Sequence, residues 1–160
     1  QTPRNLRASY GHDVECVWLA MDAARTISMS PSILLNWATG LSENCLRLGY
    51  DKEHGGFYNS GPLDQPADDT KKTWWVQNEA LLGMLEMYRL TRDEKYYRAF
   101  AQTLDFCERF QVAKEGGWWA TRAADGSPTN DRQRSSPWQG AYHAGRGLIY
   151  AAKWLDEFAK

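Results

Sequence analysis

His12 and Glu15, in the run Tyr10-Gly11-His12-Asp13-Val14-Glu15, stand three residues apart. If the run is helical, that spacing puts an imidazole and a carboxylate on one face, within reach of each other. Imidazole titrates near neutral pH and serves as acid or base. His143, in Trp138-Gln139-Gly140-Ala141-Tyr142-His143, offers a second one. Two imidazoles on opposite faces of a substrate could remove a proton from one face and return it on the other, which is the geometry of an epimerisation. Glu15 could orient His12 or bind hydroxyl groups. Arg146, one turn beyond His143, could stabilise developing negative charge. Each of these residues also has a plain reading: a hydrogen-bonded core histidine, a helix-surface pair, a solvated or ion-paired arginine. His54, beside Gly55-Gly56, reads as a turn residue. Aromatic content is high, with 8 Trp, 8 Tyr and 5 Phe. Trp74, Trp75 and Trp138 could stack on the C–H faces of a sugar, although core packing claims at least one of them.

The elements that must hold these groups are helices. Apolar residues at helical spacing predict helices over 12–28, 31–48, 73–90 and from Thr91-Arg92-Asp93-Glu94 to about Gln111, with a last one from near Pro137-Trp138 to Phe158. Ser30-Pro31 supplies an N-cap and a first-turn proline. A long polar connection over 49–72 contains Gly55-Gly56-Phe57-Tyr58, and Gly116-Gly117-Trp118-Trp119 repeats that signature. No segment alternates well enough for a major sheet, so the expected class is all-α with short β-hairpin loops. The chain also repeats itself. Tyr10, Trp74 and Trp138 are spaced by 64 residues, and so are Glu15, Glu79 and His143. Equal spacing on successive α-hairpins predicts that Glu15, Glu79 and His143 share one level and face one cavity. Five helices make two and a half hairpins, whereas a toroid of six would take roughly 380 residues. Residues 1–160 are therefore expected to form a single partial domain, the C-terminal portion of a larger barrel whose N-terminal half is absent. The start at Gln1-Thr2-Pro3-Arg4 reads as a cut or processed end.

Composition narrows the partners. A net charge of −1 and a pI near 6.3 leave no electrostatic footprint for nucleic acid or an anionic membrane. No apolar run approaches the roughly 18 residues of a membrane span. Cys16, Cys45 and Cys107 are odd in number and lack metal spacing, as expected of reduced thiols in a cytoplasmic protein. His12, Glu15 and His143 could form a facial metal set, but no short His-rich motif supports one. Phosphate loops, dinucleotide fingerprints and nucleophile elbows are missing too. Neither a metal nor a cofactor is expected.

Four motifs in order, Tyr10-Gly11-His12-Asp13-Val14-Glu15, Trp74-Trp75-Val76-Gln77-Asn78-Glu79-Ala80, Gly116-Gly117-Trp118-Trp119 and Trp138-Gln139-Gly140-Ala141-Tyr142-His143, resemble the N-acylglucosamine 2-epimerase family. That family includes cellobiose 2-epimerases, mannose epimerases and aldose–ketose isomerases, and the resemblance covers essentially the whole chain. It implies an (α/α)6 barrel acting on a mono- or disaccharide. It implies His12 and His143 as the acid/base pair, Glu15 assisting ring opening or proton transfer, and Trp75 and Trp138 positioning the sugar. Trp74, Glu79 and Arg146 complete the expected substrate-binding set. In the implied reaction the sugar ring opens, one histidine takes the C2 proton, an enediolate forms, and the other histidine returns a proton to the opposite face. Arg146 could stabilise the enediolate oxygen. The family's N-terminal half is missing, so a homo-oligomer or that half is expected to cover the barrel lumen. Two alternatives stand beside this reading. One is a glycoside hydrolase or lyase on a similar toroid, with Glu15 and Glu79 as its carboxylate pair. The other is a non-catalytic sugar-binding or interaction module.

Overall fold

The computed structural model describes residues 6–158, so the chain's first four residues, read above as a processed end, lie outside the described part. Five α-helices are present there: α1 (Tyr10–Thr26), α2 (Leu35–Asn44), α3 (Trp74–Thr91), α4 (Glu94–Phe106) and α5 (Ala144–Phe158). α1 buries Tyr10, Val14, Val17, Trp18, Met21 and Ala24, a 3.6-residue stripe that makes one apolar face. α3 is buried almost all round from Trp74 to Met87, because α1 packs on one side, α5 on the other, and α2 and α4 also lie against it. α1, α3 and α5 thus form an inner layer, with α2 and α4 outside. Arg92, at φ +58, ends α3, and the Asp93 side chain caps α4 by accepting the Lys95 N–H at 3.0 Å.

The internal repeat is visible in three dimensions. Each outer helix ends in a five-residue π-turn, Cys45–Gly49 after α2 and Cys107–Gln111 after α4. Each π-turn leads into a tight loop closed by a single bridge, Tyr50 to Phe57 and Val112 to Trp118. The glycine pairs sit in those loops with positive φ, Gly55 and Gly56 at +74 and +82, Gly116 and Gly117 at +90 and +78, where a side chain would be strained. Short antiparallel ladders then close each unit. β1 (Arg7–Ser9), before α1, pairs with β2 (Ser60–Pro62), and β3 (Lys72–Thr73), before α3, pairs with β4 (Thr121–Arg122). These ladders set the starts of α1 and α3 at the same end of the layer.

One boundary differs from the sequence expectation. The last helix begins at Ala144, not near Pro137. Residues 137–143 form a turn instead, in which the Ser136 hydroxyl accepts the Trp138 N–H and the Gln139 side chain donates to Trp118 O. Those bonds, with Gly140, hold the segment out of helical register until the Gly147 N–H reaches His143 O at 2.7 Å. Trp138, the repeat equivalent of the buried Tyr10 and Trp74, is consequently 86% exposed.

The inner layer is tied at its far end. Glu86 on α3 is fully buried and pairs with Arg25 of α1 and with Arg89 at 2.9 Å, while Arg89 also reaches Glu157 of α5 at 2.8 Å. Midway along, Gly83 lets α1 approach closely: a Cβ there would lie 2.8 Å from both Cβ and O of Val14. The three cysteines are free thiols, and burial pushes those of Cys45 and Cys107 well up from their ordinary range. Among the described residues no helix is long and apolar enough to cross a membrane.

Candidate active site

The three inner helices converge on one carboxylate. Glu79, on the second turn of α3, is fully buried. Its Oε2 accepts the Trp18 indole N–H of α1 at 2.7 Å. Its Oε1 meets Nδ1 of His143, at the start of α5, at 2.5 Å, and the Arg146 guanidinium at 2.8 Å. A buried carboxylate is costly unless donors surround it, and here three do. Glu79 therefore has no surface left for a sugar. Its place is behind His143, not beside a substrate.

This contact also sets the chemistry of His143. A carboxylate only accepts, so Nδ1 of the imidazole carries the hydrogen, and in the neutral ring Nε2 is left with its lone pair as a base. His143 is 19% exposed by its side chain, so that lone pair is accessible. His12 is more open. Its Nδ1 lies 2.7 Å from the hydroxyl of Ser9, the residue before α1, which makes no capping bond and spends its hydroxyl on this contact. A hydroxyl rotates to donate or accept, so His12 can hold its proton on either nitrogen. One imidazole is fixed in its tautomer and the other is free to change.

Trp75 joins the two. Its indole lies 4.7 Å from the His12 ring and 5.6 Å from that of His143, and Trp74 stands edge-on to His143 at 5.4 Å. Gly11 makes this possible, since a Cβ there would sit 2.5 Å from the Trp75 ring. Gly11→Ala is expected to lower stability by about 1–3 kcal/mol through that clash, although alanine is the better helix former by about 1 kcal/mol. A thermal melt checks the sign, and an unchanged or raised Tm would remove the constraint.

Glu15 completes the group. Its carboxylate is 3.5 Å from both the Tyr142 hydroxyl and Arg146. Arg146 is stacked between Trp18 at 4.6 Å and Tyr142 at 3.9 Å. Burial alone would lower its pKa, but Tyr142 and the Glu79 carboxylate more than offset that and hold it above the ordinary guanidinium value. Glu15, Glu79 and His143 offer ligand atoms within 4.8 Å of one another, the spacing a metal ion would need. Arg146 already supplies the positive charge between the two carboxylates. The register of 64 residues thus brings Glu15, Glu79 and His143 together as the repeat predicts. His12 and Trp75 join them, while Trp138 stands apart on the exposed turn. Sequence reasoning missed Trp18 and Ser9. Trp18 lies one turn from Glu15 on the same face, a spacing that could have flagged it.

Comparison with known proteins decides the lineage. The family profile described as N-acylglucosamine 2-epimerase (GlcNAc 2-epimerase) matches residues 4–146. The chain belongs to the N-acylglucosamine 2-epimerase family. It is 30% identical over 143 residues to cellobiose 2-epimerase of Ruminococcus albus, a match covering 86% of this chain and 36% of that protein. D-mannose isomerase of Marinomonas mediterranea is 24% identical over 112 residues, covering 68% and 28%. Among solved structures, cellobiose 2-epimerase from Spirochaeta thermophila superposes with a TM-score of 0.82 at 24% identity, covering 96% of this chain and 39% of that one. That from Bacillus thermoamylovorans gives 0.75 at 29% identity, covering 92% and 38%. The fold is thus all-α and part of the family's (α/α)6 barrel. The chain spans only 28–39% of the length of these relatives.

Proposed function

We propose that this chain carries the proton-transfer residues of a carbohydrate 2-epimerase or aldose–ketose isomerase, acting at C2 of a reducing-end sugar. The observation that carries the reading is the pair of imidazoles against one indole, one of them held by Glu79 with Nε2 as its free base. A sugar ring over Trp75 would present its C2 between them. In the forward direction His143 takes the C2 proton and an enediolate forms. His12, protonated on the nitrogen turned away from Ser9, returns a proton to the other face for epimerisation. Protonation at C1 instead gives the ketose. Arg146 stands near enough to His143 to stabilise the enediolate oxygen, which is the charge that grows in this step. Glu15, bridged to Arg146 and Tyr142, assists ring opening by proton transfer to a sugar hydroxyl.

A glycoside hydrolase would need Glu79 as a working carboxyl group facing substrate. Its burial and its three donors argue against that use. Ile149 on α5 is an apolar residue left 69% exposed in this five-helix layer. We read the chain as the C-terminal portion of a barrel, with an N-terminal half or a second copy covering that surface.

The test is incubation with cellobiose, D-mannose and an N-acylglucosamine in D2O. Deuterium at C2 with formation of the epimer or ketose is the expected result; glycosidic cleavage, or turnover with no exchange, overturns the reading. His12→Ala and His143→Ala are each expected to slow exchange by about 10²–10⁴-fold, the usual contribution of one positioned acid or base. Full activity in either variant would remove that residue from the mechanism.

A further inference from the structure

The tryptophans that open α3 are held from both sides by one loop. Lys72 comes two residues before Trp74, and its ammonium group is fully buried. It donates to Asp51 Oδ2 at 2.8 Å, Gly55 O at 2.5 Å and Ala124 O at 2.6 Å, which uses all three of its hydrogens. It also lies 4.0 Å from the centre of the Phe106 ring. Asp51, itself 3% exposed, accepts the backbone N–H groups of Glu53 and His54 at 3.0 and 3.1 Å. The next residue, Thr73, donates its hydroxyl to Asn59 at 3.2 Å. On the far side of the tryptophans, the Gln77 side-chain amide both accepts the Phe57 N–H at 2.8 Å and donates to Phe57 O at 2.7 Å. Apart from Ala124 and the Phe106 ring, every one of these side-chain partners lies between residues 51 and 59, while the backbone of β3 and the Trp74 N–H are held by β4 and Ala120 O. The anchors at 72, 73 and 77 bracket Trp75, whose indole lies against both imidazoles, and Trp74, which stands edge-on to His143.

We propose that Lys72 and Asp51 are positioning residues of the site, their buried ion pair setting the placement of Trp74 and Trp75 and, through those rings, of His12 and His143. Neither residue contacts the His12 or His143 ring or the Glu79 carboxylate; the one imidazole that Asp51 meets is that of His54, at 3.3 Å. Replacing a buried ion pair by apolar residues of similar volume is often neutral for stability, so the geometry of the pair matters more than the energy it adds. An ammonium with three fixed acceptors allows β3 one position relative to the 51–59 loop, and α3 begins directly from β3. The inference rests on reading the His12–Trp75–His143 cluster as the working site. It concerns placement only, so it is tested without sugar.

The chain has 3 histidines, which makes their ring signals easy to resolve by 1H–13C correlation NMR. The test compares wild type with the double variant Lys72→Met/Asp51→Leu, which leaves no orphaned charge. The expected result is a folded variant with a lowered melting temperature, because Gly55 O, Ala124 O and the Glu53 and His54 N–H groups each lose a partner. In it the His12 and His143 signals lose the displacement imposed by the neighbouring indoles and move toward free-histidine positions. A folded double variant with both signals unchanged overturns the proposal and leaves the pair a purely structural one. His54 contacts Asp51 and moves in either case, so it is not scored. Should the double variant not fold, Lys72→Arg keeps the charge and changes the size and donor geometry of the cation. Displaced His12 and His143 signals are then expected, and unmoved ones overturn the proposal. Absence of C2 exchange in the wild-type chain would sink the proposed function and leave this result standing.

Discussion

Glu79→Ala is expected to destabilise the chain by about 3 kcal/mol and to slow C2 proton exchange by about 10²–10⁴-fold. The stability loss comes from three donors left without an acceptor. The Trp18 indole N–H, Nδ1 of His143 and the Arg146 guanidinium all point at a carboxylate that is fully buried. Of these the guanidinium matters most, since its remaining carboxylate, Glu15, is 3.5 Å away. In a chain of this size about 3 kcal/mol lowers Tm by roughly 6–12 °C. The rate loss has a separate origin, because without Glu79 nothing fixes the His143 tautomer and Nε2 is no longer held as the base. Glu79→Gln separates the two. Its amide oxygen still accepts from one donor and its volume is kept, so it should recover part of the stability, but the neutral amide restores little of the rate. A Glu79→Ala variant that melts with wild type would show that the carboxylate is not the hub. A Glu79→Gln variant with full exchange would separate it from the chemistry.

Gly83→Val is the second large effect, expected to cost about 3 kcal/mol or more. A Cβ at that position already falls 2.8 Å from Val14 Cβ and backbone O. Backbone cannot step aside as a flexible side chain would, so α1 and α3 must separate. Val14 is the neighbour of Glu15, and Gly83 lies one turn beyond Glu79, so the same wedge opens the distance between the two carboxylates. Both consequences are measurable: a fall in the urea midpoint at unchanged slope, and a loss of C2 exchange larger than the unfolded fraction explains. If Gly83→Val folds with wild-type stability, the helices are not packed as closely as described.

Much of this arrangement was legible in the residues. The helical stripes of α1 and α3 located those helices to within two residues, since buried positions such as Val14, Val17, Trp18 and Met21 follow the 3.6-residue period directly. The repeat placed Glu15, Glu79 and His143 at one level because equal spacing on equivalent hairpins needs no knowledge of side-chain contacts. What failed was local. The helix start expected at Pro137 moved to Ala144, because Gln139 and Ser136 bond to groups distant in sequence or to the turn itself, and these contacts override helix propensity.

Roles within the site were less legible than membership. Glu79 was expected to bind substrate, whereas its carboxylate is fully buried and accepts from Trp18 of α1 and from His143 and Arg146 at the start of α5. That Lys72 would be wholly buried had no sequence signal, since a lone lysine before a tryptophan pair looks like any surface charge. The residue types and their period by themselves determined that an all-α repeat would carry two imidazoles, two carboxylates and a row of tryptophans near one end, because periodicity and side-chain chemistry are properties of the chain. Only the tertiary structure decided that Gly11 admits Trp75 against both His12 and His143, and that Glu79 stands behind His143. Those outcomes depend on which helices approach and how closely. Such distances are set by packing between segments about 64 residues apart, and His12 and Glu15, three residues apart in the chain, end up serving different neighbours for that reason.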